Sequence, residues 1–126
     1  MTLATSQDNI PQSCNLFYAY LTEEKLFVVA SDPQTEHMRN VAKNPNVAGT
    51  IVLETVSVGK IEGLQFKAMM YKAEDNKVIT AYFKRFPYAK VLNPLLWIIK
   101  PMSMKLTDNR LGFGKKLNWT RDAVLQ

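Results

Sequence analysis

One cysteine, one histidine and five glycines in 126 residues leave many site chemistries without raw material. Cys14 has no second thiol for an intramolecular disulfide, a CxxC redox pair or a cysteine-based zinc site, and reads as a small buried hydrophobe. His37 stands without a second histidine, HExxH is absent, and no Ser/His/Asp series or carboxylate pair is visible, so hydrolytic chemistry has no foothold and catalysis would need a cofactor. The glycines form neither GxGxxG nor a Walker loop. Long apolar runs are missing as well: the longest, residues 16–21 and 95–99, fall far short of the ~20 that cross a bilayer. The N-terminal MTLATSQDNIPQ lacks the basic and then apolar segments of a secretory signal, which makes a cytoplasmic address the expectation. Acidic residues are scarce in one region, where Asp108 alone faces nine basic side chains over residues 84–121. That stretch carries +8 while the remainder carries −3. Such asymmetry favours an anionic ligand or partner without naming it.

What is present suits a folded chain: 47% hydrophobic and 21% charged residues exclude disorder and low-complexity polymers. The length fits a single domain over residues 1–126. Strands are predicted at residues 2–6, 11–21, 25–30, 47–55, 60–73, 97–106 and 111–119, about seven in all, with two to three helices. The run KLFVVA (25–30) has no polar face, as in a central strand buried on both sides. Asp32 as N-cap and Pro33 at the first position start a helix carrying Met38, Val41 and Ala42 on one stripe, and Asn44-Pro45 ends it. In residues 60–73, Leu64, Phe66, Ala68 and Met70 alternate with Gln65, Lys67, Met69 and Tyr71, with Gly59 in a turn and Gly63 at a bulge or close approach. A second helix runs from about Asp75 to Phe86, where Pro87 breaks it. A Thr107-Asp108-Asn109 turn joins the last two strands. Paired strands with helices inserted between pairs predict an antiparallel, mainly β fold, packed as a small closed β-barrel with peripheral helices.

Three segments are candidate sites. Residues 30–39 (ASDPQTEHMR) hand a strand over to a helix bearing Ser31, Thr35 and His37, a place where unpaired N–H groups attract anions. Simple capping explains the same residues, because Asp32 satisfies the amides and Asp32 and Glu36 would repel a phosphate. Residues 111–121 (LGFGKKLNWTR) combine glycines, lysines and an aromatic ring. As one strand they would put Lys115 beside Phe113, Leu117 and Trp119 and opposite Lys116, to hold a planar anion or cover a subunit contact. Asn15, Leu16, Phe17 and Tyr18 with Gln65 form a polar and aromatic group that is either core or binding surface.

Two strings are more specific: TEHMRNVAKNPNVAGTI (35–51) and RFPYAK…TDNRLGFGKKLNWTR (85–121), flanked by LATSQDNIPQSCNLFYAY and IEGLQFKA. They resemble the YhbP-like branch of the split β-barrel flavoproteins, related to pyridoxamine 5'-phosphate oxidase, over nearly the whole chain. The resemblance implies a six-stranded FMN-binding split barrel, usually a homodimer with FMN at each of two sites along the subunit interface. It implies a flavin phosphate held by Thr35 and His37 with Ser31 just upstream, Glu36 standing where relatives often carry arginine. It places the ring along Asn15, Leu16, Phe17 and Tyr18 with Gln65 nearby, and brings Lys115 and Trp119 from the partner subunit. Relatives of this branch carry an N-terminal helix before the Leu-Ala-Thr strand, and this chain begins almost inside that strand.

The function so implied is an FMN-dependent oxidoreductase of unspecified substrate, with NAD(P)H as a candidate electron donor. Deazaflavin or haem are alternative planar ligands on the same fold. A different class is a nucleic-acid-binding barrel, motivated by the basic stretch and its Phe86, Tyr88, Trp97, Phe113 and Trp119. No RNP-type motif accompanies it. A third reading is a non-catalytic dimeric module with a vestigial cofactor site, suggested by Glu36.

Overall fold

The computed structural model describes residues 1–122. Eight strands, β1 (Thr2–Gln7), β2 (Ile10–Asn15), β3 (Tyr18–Leu21), β4 (Leu26–Ala30), β5 (Asn46–Val52), β6 (Glu62–Lys72), β7 (Leu96–Asp108) and β8 (Lys116–Thr120), form one antiparallel sheet. Two α-helices, α1 (Glu36–Lys43) and α2 (Asn76–Arg85), and three 3₁₀ turns at Val58–Lys60, Pro87–Leu92 and Asn109–Leu111 complete it.

The predicted strand over 11–21 is two strands. Leu16 and Phe17 interrupt it, and β2 pairs with β1 while β3 pairs with β4. The order β2-β1-β5-β6-β7-β4-β3 puts those two strands at opposite edges, with β8 added to the far part of β7. In a flat sheet these edges would lie about 29 Å apart at ~4.8 Å per strand. Asn15 and Tyr18, joined by two residues, can be at most ~11 Å apart, so the sheet must roll up. The roll is a split barrel. The expected ladder closure is corrected, because among the described residues no pairing joins β2 to β3.

One core fills the barrel: Leu3, Phe27, Val29, Val47, Phe66, Met70 and Ile99, plugged by Met38 and Val41 of α1. A second lies outside it, where Val78 and Tyr82 of α2 cover Ala19, Leu21, Val28, Leu96 and Ile98. β4 therefore feeds both cores, Phe27 and Val29 inward and Val28 outward, as its unbroken apolar run predicted. β6 keeps its predicted alternation, with Phe66, Ala68 and Met70 buried and Gln65, Lys67 and Tyr71 exposed.

Several boundaries differ from expectation. Thr35, not Asp32, is the N-cap of α1 and accepts from the Met38 amide; Asp32 instead accepts from the Gln34 amide and closes the turn before the helix. The bulge falls not at Gly63, which pairs regularly with Val52 and Thr107, but between Lys67 and Ala68. Pro101 lies opposite Ala68 and has no N–H to continue the ladder. β7 runs on to Asp108, whose carboxylate accepts three hydrogen bonds from Arg110 (2.8–3.0 Å) and caps the following turn. β8 begins at Lys116, so Lys115 belongs to the turn and shares no strand face with Trp119.

Candidate functional site

β4 ends at Ala30, and the chain turns through Asp32 into α1, folding Ser31, Thr35 and His37 together. His37 Nε2 lies 2.7 Å from Ser31 Oγ and 3.2 Å from Thr35 Oγ1. The Thr35 hydroxyl donates to the Asp32 carbonyl (2.8 Å), so toward the imidazole it can only accept. Burial pushes the His37 pKa below its ordinary range, which keeps the ring neutral at neutral pH. This junction is a satisfied polar knot without a fixed positive charge. The nearby Arg39 guanidinium donates to the Gln34 carbonyl (2.6 Å).

Another part of the predicted set lies on the outer face of the sheet. Cross-strand rows put Thr2, Thr50, Gln65, Lys105 and Asn118 side by side, and Ala4, Ala48, Lys67, Ser103 and Thr120 beside them. Neither helix covers this face. It forms a groove of about 430 Å³ that also includes Trp119, which stacks on Arg121 at 5.3 Å. Gln65 points into this groove, whereas Trp119, between Asn118 and Thr120 and opposite Met104, borders it through its backbone with its ring on the other face. Lys67 and Lys105 were not singled out in the sequence, yet they supply its only charges, and neither has an ion-pair partner among the described residues. The register was the missing signal for Lys105: alternation along β6 already sets Lys67 beside Gln65, but only the pairing of β6 with β7 brings Lys105 onto that face.

Asn15, Leu16 and Phe17 line a neighbouring recess with Met1, Thr2, Thr50, Ile51 and Val52. Asn15 accepts from the Thr2 hydroxyl at 3.1 Å, and Phe17 is 79% exposed with its ring 5.9 Å from Phe86. Tyr18 faces the other way, into the barrel mouth, edge-on to Phe27 at 5.4 Å. Lys115 projects from the β7–β8 turn and lines none of these spaces. One chain therefore presents the predicted residues on separate surfaces: the knot, the groove with its adjoining recess, and the mouth. Cys14 is half-buried against the core, and burial pushes its thiol pKa up, as befits an unreactive packing residue. Among the described residues no group of three metal-ligating side chains occurs, and no helix is long and apolar enough to cross a membrane.

Known protein-family models give no match to the chain. Among curated proteins it is 38% identical over 126 residues to a UPF0306 protein of Klebsiella pneumoniae (strain 342), covering 98% of this chain and 86% of that one. It is 37% identical over 115 residues to UPF0306 protein YhbP of Salmonella arizonae, covering 89% and 78%. Solved structures share the fold at low identity. A haem-binding protein from Mycobacterium smegmatis superposes with a TM-score of 0.77 at 19% identity, over 94% of this chain and 51% of that one. A pyridoxamine 5'-phosphate oxidase-related, FMN-binding protein from Nostoc punctiforme gives 0.67 at 11%, over 99% and 82%. HutZ, the haem storage protein from Vibrio cholerae, gives 0.63 at 19%, over 79% of each. With the split barrel on the one hand and relatives above one-third identity along almost its full length on the other, the chain belongs to the UPF0306 family, the family of YhbP.

Proposed function

We propose that this protein binds FMN as a homodimer and acts as a flavin-dependent oxidoreductase. The observation that carries the reading is the uncovered outer groove, in which Lys67 and Lys105 flank the amides of Gln65 and Asn118 beside Trp119. Amides that both donate and accept suit the edge of a flavin ring, and two unpaired lysines suit an anionic tail. The groove therefore fits the cofactor. The Ser31–Thr35–His37 knot fits a phosphate less well, since its hydroxyls and imidazole already engage one another and Asp32 and Glu36 stand beside it. When bound, the flavin supplies hydride or electron transfer. The protein's own groove residues hold and orient it. Among the described residues the lining of the groove includes no carboxylate or imidazole.

Haem is disfavoured as the planar ligand by His37, the sole histidine, which is 9% exposed with Nε2 already hydrogen-bonded. A nucleic-acid platform is disfavoured by the scatter of the aromatic rings. Phe86 packs against Tyr82, Trp97 donates to the Ser31 carbonyl at 2.9 Å, and Tyr88 and Phe113 stand exposed on different turns.

The test is titration of the purified protein with FMN, following flavin fluorescence and visible absorbance. Expected is micromolar binding that weakens at least ~10-fold, about 1.4 kcal/mol, in the double variant Lys67→Ala/Lys105→Ala. Tight binding of haemin with none of FMN would overturn the reading. So would FMN affinity untouched by loss of both lysines.

A further inference from the structure

The open end of the barrel is a separate cavity of about 690 Å³, within the range of small-molecule pockets. Tyr18 and Tyr20 of β3, Phe27 of β4, Leu64 of β6 and Met104 and Leu106 of β7 wall it. The rings form one continuous wall: Tyr18 meets Phe27 edge-on at 5.4 Å, and Tyr20 lies 4.9 Å from the same ring. Two charged side chains stand at the lips. Glu62 is engaged, 3.3 Å from Arg110. Arg85 is not. It leaves the last turn of α2, and its guanidinium lies 5.2 Å from the Tyr18 ring centroid and 5.3 Å from that of Phe86. Among the described residues it has no carboxylate partner and no hydrogen bond. Aromatic faces on a planar cation fix its orientation and leave its in-plane N–H edge free. That edge is the fork that matches a carboxylate with two parallel hydrogen bonds.

We propose that the barrel mouth is a second ligand pocket, taking a small aromatic carboxylate whose ring lies against Tyr18, Tyr20 and Phe27 and whose carboxylate is held by Arg85. The class follows from the parts. An aromatic wall whose rings stand edge-on and tilted to one another rewards an aromatic body that packs edge-to-face, and one unpaired guanidinium at the lip rewards a single planar anion. The only carboxylate lining the mouth, Glu62, is held by its own arginine and leaves Arg85 uncompensated. This pocket shares only Met104 with the lysine groove and only Ile51 and Val52 with the adjoining recess; Arg85, Tyr20 and Phe27 belong to neither, and the proposal stands apart from the reading of the groove as the flavin site.

The probe is 2-naphthoate, titrated calorimetrically into the full chain without FMN, with the neutral isostere 2-naphthylmethanol in parallel. The expected result is a preference of at least ~10-fold for the acid over the alcohol. That preference should vanish in Arg85→Gln and shrink in Arg85→Lys, which keeps the charge without the fork. Nuclear Overhauser contacts from the naphthalene protons to the Tyr18, Tyr20 and Phe27 rings should place the probe, and adding FMN should not displace it. Equal affinity for acid and alcohol would overturn the proposal. So would an unchanged preference in folded Arg85→Gln, or in Arg85→Lys should the glutamine variant fail to fold. Competitive displacement by FMN would assign the probe to the flavin site and overturn it likewise. Failure of FMN to bind leaves the naphthoate result decisive by itself.

Discussion

His37 illustrates how little a residue type says before its neighbours are known. In the sequence it is a lone imidazole, equally a surface residue or part of an anion site; in the fold it is buried with Nε2 between two hydroxyls. Its pKa lies below the ordinary histidine range because burial disfavours the cation. The native state thus binds fewer protons than the unfolded chain below pH ~6.5. The stability from keeping His37 neutral is complete above that pH and is lost as pH falls toward the depressed native value. Urea midpoints at pH 7.5 and 5.5 should therefore fall more in the wild type than in His37→Asn. A parallel fall in both would show that other groups set the acid sensitivity. Asn15, Leu16, Phe17, Tyr18, Gln65 and Trp119 all stand out in the sequence through residue type and family resemblance. Which of them meet was illegible there, because strand alternation and register decide whether neighbours in sequence share a face. Tyr18, next to Phe17 in the chain, looks into the barrel while Phe17 looks out.

At the scale of elements, the hydrophobic pattern foretold β4, β6, α2 and most of α1. The exceptions have local causes. Thr35 captured the N-cap because Asp32 was already engaged by the Gln34 amide, and β2 separated from β3 where the chain changes edges, an event with no signature in a continuous β-prone stretch. One glycine governs the pairing of β5 with β6. Gly49 lies opposite Phe66, and a Cβ there would come within 2.2 Å of the Phe66 ring tip. That ring is 2% exposed and packed against Phe27 at 5.2 Å, so it has nowhere to go. Gly49→Ala should cost about 1–3 kcal/mol, the usual penalty of overpacking. It should appear as a lower urea midpoint at unchanged slope. A midpoint equal to the wild type would mean that the ring can swing aside at little cost.

For the molecule as a whole, composition and strand pairing were enough to predict a mainly antiparallel β domain, while the mode of closure was not. One group of exposed apolar side chains gives the next expectation. The turn after β5 and the turn after β7 are tied by Asn109, which donates to the carbonyls of Val58 (2.9 Å) and Ile61 (3.0 Å). There Val56, Val58, Leu111 and Phe113 are all more than half exposed. Apolar side chains gathered at one end of a monomer mark an interaction surface, and the proposed dimer is the occupant expected here. Light scattering should give twice the mass of one chain, and Val56→Asp/Phe113→Asp should shift it toward one. A monomeric wild type would remove the second subunit from the cofactor proposal.

The corner at Leu16 and Phe17 ties the two edges of the sheet together, and among the described residues no ladder crosses the gap between them. The barrel is in this respect a purse stitched at one corner. Its seam can part away from the stitch without breaking a single strand-to-strand hydrogen bond, and the width of the parting is limited by how far two residues let the edges swing. A shell built this way can yield to a guest along one line while the ladders of the rest of its wall stay paired as they are.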